Sequence, residues 1–210
     1  MTEIVLVRHG ETEWNVTDRF RGRMDIELNS VGIRQAELLS DYLKTWDIEA
    51  VYASPLKRAL KTAEIIAEPH GVNVKKVSGL IDFSAGEWEG LSVQEVKEKY
   101  GGLFAAWVSH PEKVKIPKGE SLDEVTVRAM AVVAEVIRKH KGIVIMVSHR
   151  VVNKVLICAL LGLDNSHFWN IKQDNCGITI FSHEDGRFVL TRHNDTSFLE
   201  PLKKQPLKDF

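Results

Sequence analysis

Ile4-Val5-Leu6-Val7-Arg8-His9-Gly10 sets four consecutive apolar side chains directly before an arginine, a histidine and a glycine. An unbroken apolar run of this length reads as a strand buried on both faces, and the polar residues that follow stand at its carboxyl end. The same device recurs twice: Ala50 to Ala53 runs into Ser54 and Pro55, and Ile143 to Val147 runs into Ser148, His149 and Arg150. Each run is followed by a helical pattern. This alternation specifies an α/β fold, a three-layer sandwich with a mostly parallel central sheet flanked by helices.

The helices can be placed from their apolar stripes and ends. Leu56, Ala59, Leu60, Ala63 and Ile66 share one face, with Ser54 expected as N-cap and Pro55 as the first helical residue. Ser121-Leu122-Asp123-Glu124 reads as a capping box opening a helix through Val125, Ala129, Val132 and Val136. Val152, Val155, Leu156 and Ala159 form a further stripe closed by Gly162, and an earlier helix is expected from about Ser30 to Trp46. Glu184-Asp185-Gly186 joins two strands, Gly177 to Ser182 and Phe188 to His193, in a hairpin. Residues 79–119 break the βα rhythm with aromatics, glycine clusters and two prolines, and are expected to form a lid insertion over the carboxyl ends of the strands, within a single domain of residues 1–210. The Lys-rich stretch from about Pro201 to Phe210 is expected to be a loosely held tail.

With 210 residues the chain is about 1.4 times an average domain of roughly 150. Its net charge of −1 removes the bulk electrostatic argument for a nucleic-acid or anionic-membrane partner. The N-terminus lacks the basic and apolar regions of a signal peptide, no run approaches a membrane span, and Cys158 and Cys176 lack metal-ligand spacing. A cytoplasmic protein is expected, with no cofactor and no metal.

Open parallel sheets bind ligands at the carboxyl ends of their strands. If the three runs are neighbours, Arg8, His9, Ser54, Arg58, Ser148, His149 and Arg150 converge there, a concentration of cations suited to a compact anion such as phosphate. Neither a P-loop nor a G-x-G-x-x-G fingerprint is present, and no H-x-x-x-H pair lies on a helix. A histidine flanked by arginines is suited to attack phosphorus, because the guanidiniums neutralise the oxygens that would repel it.

Leu6-Val7-Arg8-His9-Gly10-Glu11-Thr12 with Trp14-Asn15 resembles the opening motif of the histidine phosphatase superfamily, the phosphoglycerate mutase-like proteins. The similarity continues in Phe20-Arg21-Gly22, Ser54-Pro55-Leu56-Lys57-Arg58-Ala59, Gly86-Glu87-Trp88-Glu89-Gly90, Pro117 to Ser121, Val147-Ser148-His149 and Asn194 to Ser197. The resemblance implies a metal-independent phosphatase in which His9 forms a phosphohistidine while Arg8, Arg58 and His149 hold the phosphoryl oxygens, with Asn15 and Gly22 in the phosphate-binding set. It also implies a carboxylic acid that protonates the leaving group and then activates water. Relatives place a glutamate six residues before the tryptophan, where this chain has Asp82; Glu87 and Glu89 compete for the role. Arg150 departs from the glycine common at that position and reads either as a substrate contact or as an outward ion-pair partner.

The implied substrate is a small phosphorylated metabolite, with phosphoserine, α-ribazole phosphate and a broad range all compatible. The implied assembly is a possible homodimer. A bisphosphoglycerate-dependent mutase is the rival; only 28 residues separate Gly90 from Gly119, less than the longer shielding insertion of family mutases. A non-catalytic phosphate-binding module is the reading from another class, permitted by Asp82 in place of glutamate. Trp88 and Trp107 read as packing residues, Glu11 either as an orienter of an arginine or as a substrate contact, and Ser148 as a positioning hydroxyl.

Overall fold

The computed structural model describes residues 1–202; the expected tail lies, from residue 203 on, outside the described residues. In chain order the elements are β1 (Thr2–Arg8), α1 (Glu13–Val16), α2 (Ser30–Leu43), β2 (Ile48–Ala53), α3 (Lys57–Ala67), β3 (Val74–Lys76), α4 (Val93–Ser109), α5 (Leu122–Lys139), β4 (Ile143–Ser148), α6 (Arg150–Leu160), β5 (Ile178–Glu184) and β6 (Arg187–Asp195). The strands form one sheet in the order β3-β2-β4-β1-β5-β6. β1, β2, β3 and β4 pair in parallel, and β5 and β6 are antiparallel additions at one side.

The apolar runs are continuous because both faces of the sheet are covered. Ile4, Leu6, Tyr52, Val144 and Met146 share a core with Val125, Val132 and Val136 of α5 and Val152, Val155 and Leu156 of α6. Val5, Val7, Val51, Ile145 and Val147 face the other way, onto Ala36, Leu39 and Leu43 of α2 and Ala59, Ala63 and Ile66 of α3. Strand alternation thus divides each run between two helical layers, giving the three-layer arrangement.

Several boundaries differ from the sequence-based expectations. α3 begins at Lys57, with Leu56 extended at φ −68 and ψ 136 as its N-cap, so Ser54 and Pro55 lie before the helix. The Ser54 hydroxyl is engaged by the His149 ring at 2.7 Å, and the first helical N–H, that of Lys57, is satisfied by Asp25 Oδ1 at 2.7 Å. α2 ends at Leu43, three residues short of Trp46, which turns back with its N–H on Leu43 O. The Ser121 capping box is formed in both directions with Glu124. The hairpin turn places Asp185 and Gly186 at φ 50 and 75, the left-handed pair that a two-residue connection of twisted strands requires.

Residues 79–119 contain α4, kinked at Tyr100, and 3-10 turns at Gly86–Trp88 and Pro111–Lys113. Trp88 and Trp107 are buried, meeting edge to face at 6.3 Å, and Phe83 stacks on Trp107 at 5.5 Å. This aromatic cluster is continuous with the core between the sheet and α5 and α6, as expected for packing residues.

Candidate active site

Because β2, β4 and β1 are adjacent in the sheet, their carboxyl ends bring Ser54, Ser148, His149, Arg8 and His9 side by side. Ser54 N–H bonds Val147 O and His9 N–H bonds Ser148 O, both at 3.0 Å, locking the exits of the three strands together. β5 runs antiparallel to β1, so its leading loop arrives at the same end. There Arg8 Nη1 donates to Gln173 O at 2.5 Å, Cys176 N–H to Arg8 O at 2.9 Å and Asn175 Nδ2 to His9 O at 2.9 Å. Gly10 lets the start of α2 pack against this turn, since a Cβ there would lie 2.4 Å from Gly32 O.

His9 is 1% exposed. Its Nδ1 lies 2.6 Å from Gly10 O. A carbonyl can only accept, so Nδ1 carries the ring proton and Nε2 presents a lone pair. Burial first, then the guanidiniums of Arg58, Arg8 and Arg21, hold His9 well below the ordinary histidine value. The ring is therefore neutral and nucleophilic. His149 stands beside it with ring centroids 5.2 Å apart, and is likewise held neutral, by burial first and then by Arg58 and Arg21.

Arg58 is fully buried. Its guanidinium donates to Met24 O at 2.7 Å, Gly22 O at 3.0 Å and Asp82 Oδ2 at 2.8 Å. Asp82 Oδ2 is also 3.4 Å from His149 Nδ1, and Oδ1 accepts the Phe83 N–H at 2.9 Å. Arg21 joins the cluster. Its Nη1 bonds Trp14 O at 2.9 Å, and burial, followed by Arg8 and Arg150, pushes it down to about 9, still a cation at neutral pH. Arg58 Nε and Arg21 Nε are sealed from solvent with no hydrogen-bond partner among the described residues. Buried donors without acceptors cost roughly 1–3 kcal/mol each, which an anion set among them offsets.

The remaining expected residues take varied places. Gly22 adopts φ +49 and offers its carbonyl to Arg58; a Cβ would lie 2.1 Å from Glu89 Oε1. Asn15 is half-buried and turns Oδ1 onto Thr12, accepting its N–H and hydroxyl in a capping box. Glu87 points outward to Lys118 and Tyr100, each at 3.1 Å, and Glu89 Oε1 braces the Arg23 and Ala85 N–H groups, so neither sits where Asp82 does. Glu11 holds Asn29 Nδ2 at 2.9 Å rather than an arginine. Ser148 Oγ donates to Leu80 O at 2.8 Å, a positioning bond. Arg150 is half-buried at the start of α6, and its charge is felt at Arg21. Arg21 and Arg128 escaped the sequence reading, although Arg21 lies inside the Phe20-Arg21-Gly22 motif. Among the described residues no group of three or more His, Cys, Asp or Glu could hold a metal ion.

Two histidines buried in neutral form make stability pH-dependent in a definite sense. Their folded values lie below the unfolded value of about 6.5, so below that pH the unfolded chain binds protons that the fold refuses, and stability falls. Each contributes a slope of about 1.4 kcal/mol per pH unit below about pH 6.5. Denaturation midpoints recorded from about pH 7.5 down to about 5.5 should drop steeply in the lower half of that range, and less steeply in His149→Gln. A flat profile would contradict the neutral, buried pair.

Comparisons with known proteins show the family to which the chain belongs. The sequence profile of the histidine phosphatase superfamily (branch 1) matches residues 4–196. Phosphoserine phosphatase 1 of Hydrogenobacter thermophilus is 40% identical over 200 residues, 95% of each chain. Among solved structures, YhfR of Bacillus stearothermophilus superposes with a TM-score of 0.91 at 31% identity, covering 95% of this chain and 100% of that one. A phosphoserine phosphatase of Entamoeba histolytica, solved in complex with 3-phosphoglyceric acid, superposes with a TM-score of 0.86 at 30% identity, covering 95% and 100%. The match spans Arg8, His9, Arg58 and His149, and with it this chain belongs to branch 1 of the histidine phosphatase superfamily as a phosphoric monoester hydrolase.

Proposed function

We propose that the protein hydrolyses a small phosphomonoester through a phosphohistidine on His9, with phosphoserine the substrate to test first. The observation that carries this is the buried His9 ring, its proton pinned to Gly10 O so that Nε2 is left with a lone pair, in the field of Arg58, Arg8 and Arg21. Nε2 attacks phosphorus in line; the N–P bond forms as the P–O ester bond breaks, and the departing oxygen takes a proton from Asp82. Water then gives its proton to the Asp82 carboxylate while its oxygen attacks phosphorus, and the N–P bond breaks to release phosphate. Arg8, Arg58, Arg21 and His149 bind the phosphoryl oxygens through both steps.

In the substrate-free molecule Asp82 occupies an Arg58 donor. An arriving phosphoryl dianion competes for that donor and frees the Asp82 carboxyl for the leaving group. Residues 79–119 supply Asp82 and serve as the lid, where substrate selection resides. Phosphoserine is favoured by the relatives' names, and the 3-phosphoglyceric acid bound to the Entamoeba protein is another compact phosphorylated carboxylate. Cys158 and Cys176 are both free and buried, which fits a reducing compartment such as the cytoplasm.

Phosphate release from phosphoserine in the presence of chelator tests the proposal. Asp82→Asn should lower kcat on this ester by about 10²–10⁴-fold, the usual range for a lost general acid-base group. With p-nitrophenyl phosphate, whose leaving group needs no proton, the initial burst should persist. Near-normal turnover of phosphoserine by Asp82→Asn would remove Asp82 from the mechanism.

A further inference from the structure

We propose that Arg128, held by Glu120, is a positioning residue that sets Asp82 for proton transfer. This rests on the reading of Asp82 as the acid. The segment carrying Asp82 has little regular structure of its own. Among the described residues no backbone N–H outside the short turn at Ser78–Leu80 bonds the carbonyls of Gly79, Leu80, Ile81 or Asp82. Side chains hold all four instead. Arg128 Nη1 donates to Gly79 O at 2.9 Å and Ile81 O at 2.7 Å, and Nη2 to Asp82 O at 3.1 Å; Ser148 holds Leu80 O.

Glu120 fixes the clamp. Its carboxylate accepts Arg128 Nε at 2.9 Å and Nη2 at 3.1 Å, Arg23 Nη2 at 2.9 Å and the Ser84 N–H at 2.9 Å. Arg23 Nε reaches Asp82 O at 3.3 Å from the other side. The backbone is drawn close to α5, since a Cβ on Gly79 would lie 2.5 Å from Val132 Cγ2. A planar fork with five donors can satisfy three carbonyls and a carboxylate at once, whereas an ammonium on a flexible stem cannot. Asp82 itself is bound to Arg58 by one oxygen, so its backbone anchor decides whether the carboxyl stays in reach once substrate takes Arg58.

The test uses the two leaving groups. Phosphoserine needs Asp82 in both steps, whereas p-nitrophenyl phosphate needs it only when water attacks the phosphoenzyme. Arg128→Met should lower kcat on phosphoserine by about 10–100-fold, the scale of a displacement of about 1 Å at a reacting group. The pre-steady-state burst of p-nitrophenolate should stay within about threefold of the parent, and Arg128→Lys should fail to restore phosphoserine turnover. Glu120→Gln should show the same split, and carries the test if Arg128→Met does not fold. Equal losses in burst and phosphoserine turnover, or no loss in either, would overturn the proposal. A parent protein that never phosphorylates His9 would instead remove the function on which it rests.

Discussion

His9→Ala should lower phosphatase turnover by about 10⁴-fold or more and leave the fold in place, because the residue is proposed to supply the bond-forming atom and no other group in the cluster is placed to substitute for it. His149 is the nearest imidazole, but its Nε2 is engaged by Ser54 Oγ at 2.7 Å and its Nδ1 faces Asp82. Ser54 and Ser148 offer hydroxyls committed to His149 and Leu80 O. The arginines remain in His9→Ala, so the variant should still bind inorganic phosphate while failing to turn over substrate. Steady-state kinetics alongside a phosphate-binding isotherm checks both halves of this expectation. A variant that retains a tenth of the parent rate would place the nucleophile elsewhere.

Arg58→Met should cost both stability and catalysis. The side chain is fully buried, and its removal strands the Asp82 carboxylate, 11% exposed, along with the Gly22 and Met24 carbonyls. Breaking one side of a buried ion pair costs about 3–5 kcal/mol, which urea denaturation would show as a lower midpoint at an unchanged slope. The same guanidinium is proposed to hold the phosphoryl group, so kcat/KM should fall by about 10²–10³-fold, as for the loss of a charged donor aimed at the transition state. Arg58→Lys should recover part of the stability through its charge and little of the activity, since the fork geometry is lost. A stable Arg58→Met with ordinary kcat/KM would show that the arginine is a bystander.

The two largest effects lie on His9, directly after β1, and on Arg58, in the first turn of the helix that follows β2. β1, β2 and β4 are buried on both faces, so their apolar runs are uninterrupted and the polar residues after them stand out. The Ser121 box and the Asp185-Gly186 turn are legible for a similar reason: local chemistry alone dictates them. What stays hidden depends on partners distant in sequence. β3 is three residues, Val-Lys-Lys, and is a strand only because it pairs with β2. Arg21 lies in a segment without periodicity, aimed by its bond to Trp14 O. Arg128 reads as an ordinary charge on a helix, and only the passage of residues 79–82 alongside gives it work. Ser54 looks like an N-cap until β4 brings His149 beside it.

Rapid mixing of the parent enzyme with phosphoserine, quenching without acid and mapping of the labelled peptide addresses the central claim most directly. One phosphoryl group on His9, formed within the first turnover and absent from His9→Ala, is the expected result. Steady turnover with no phosphoryl group on His9, or with the label on another residue, would contradict it.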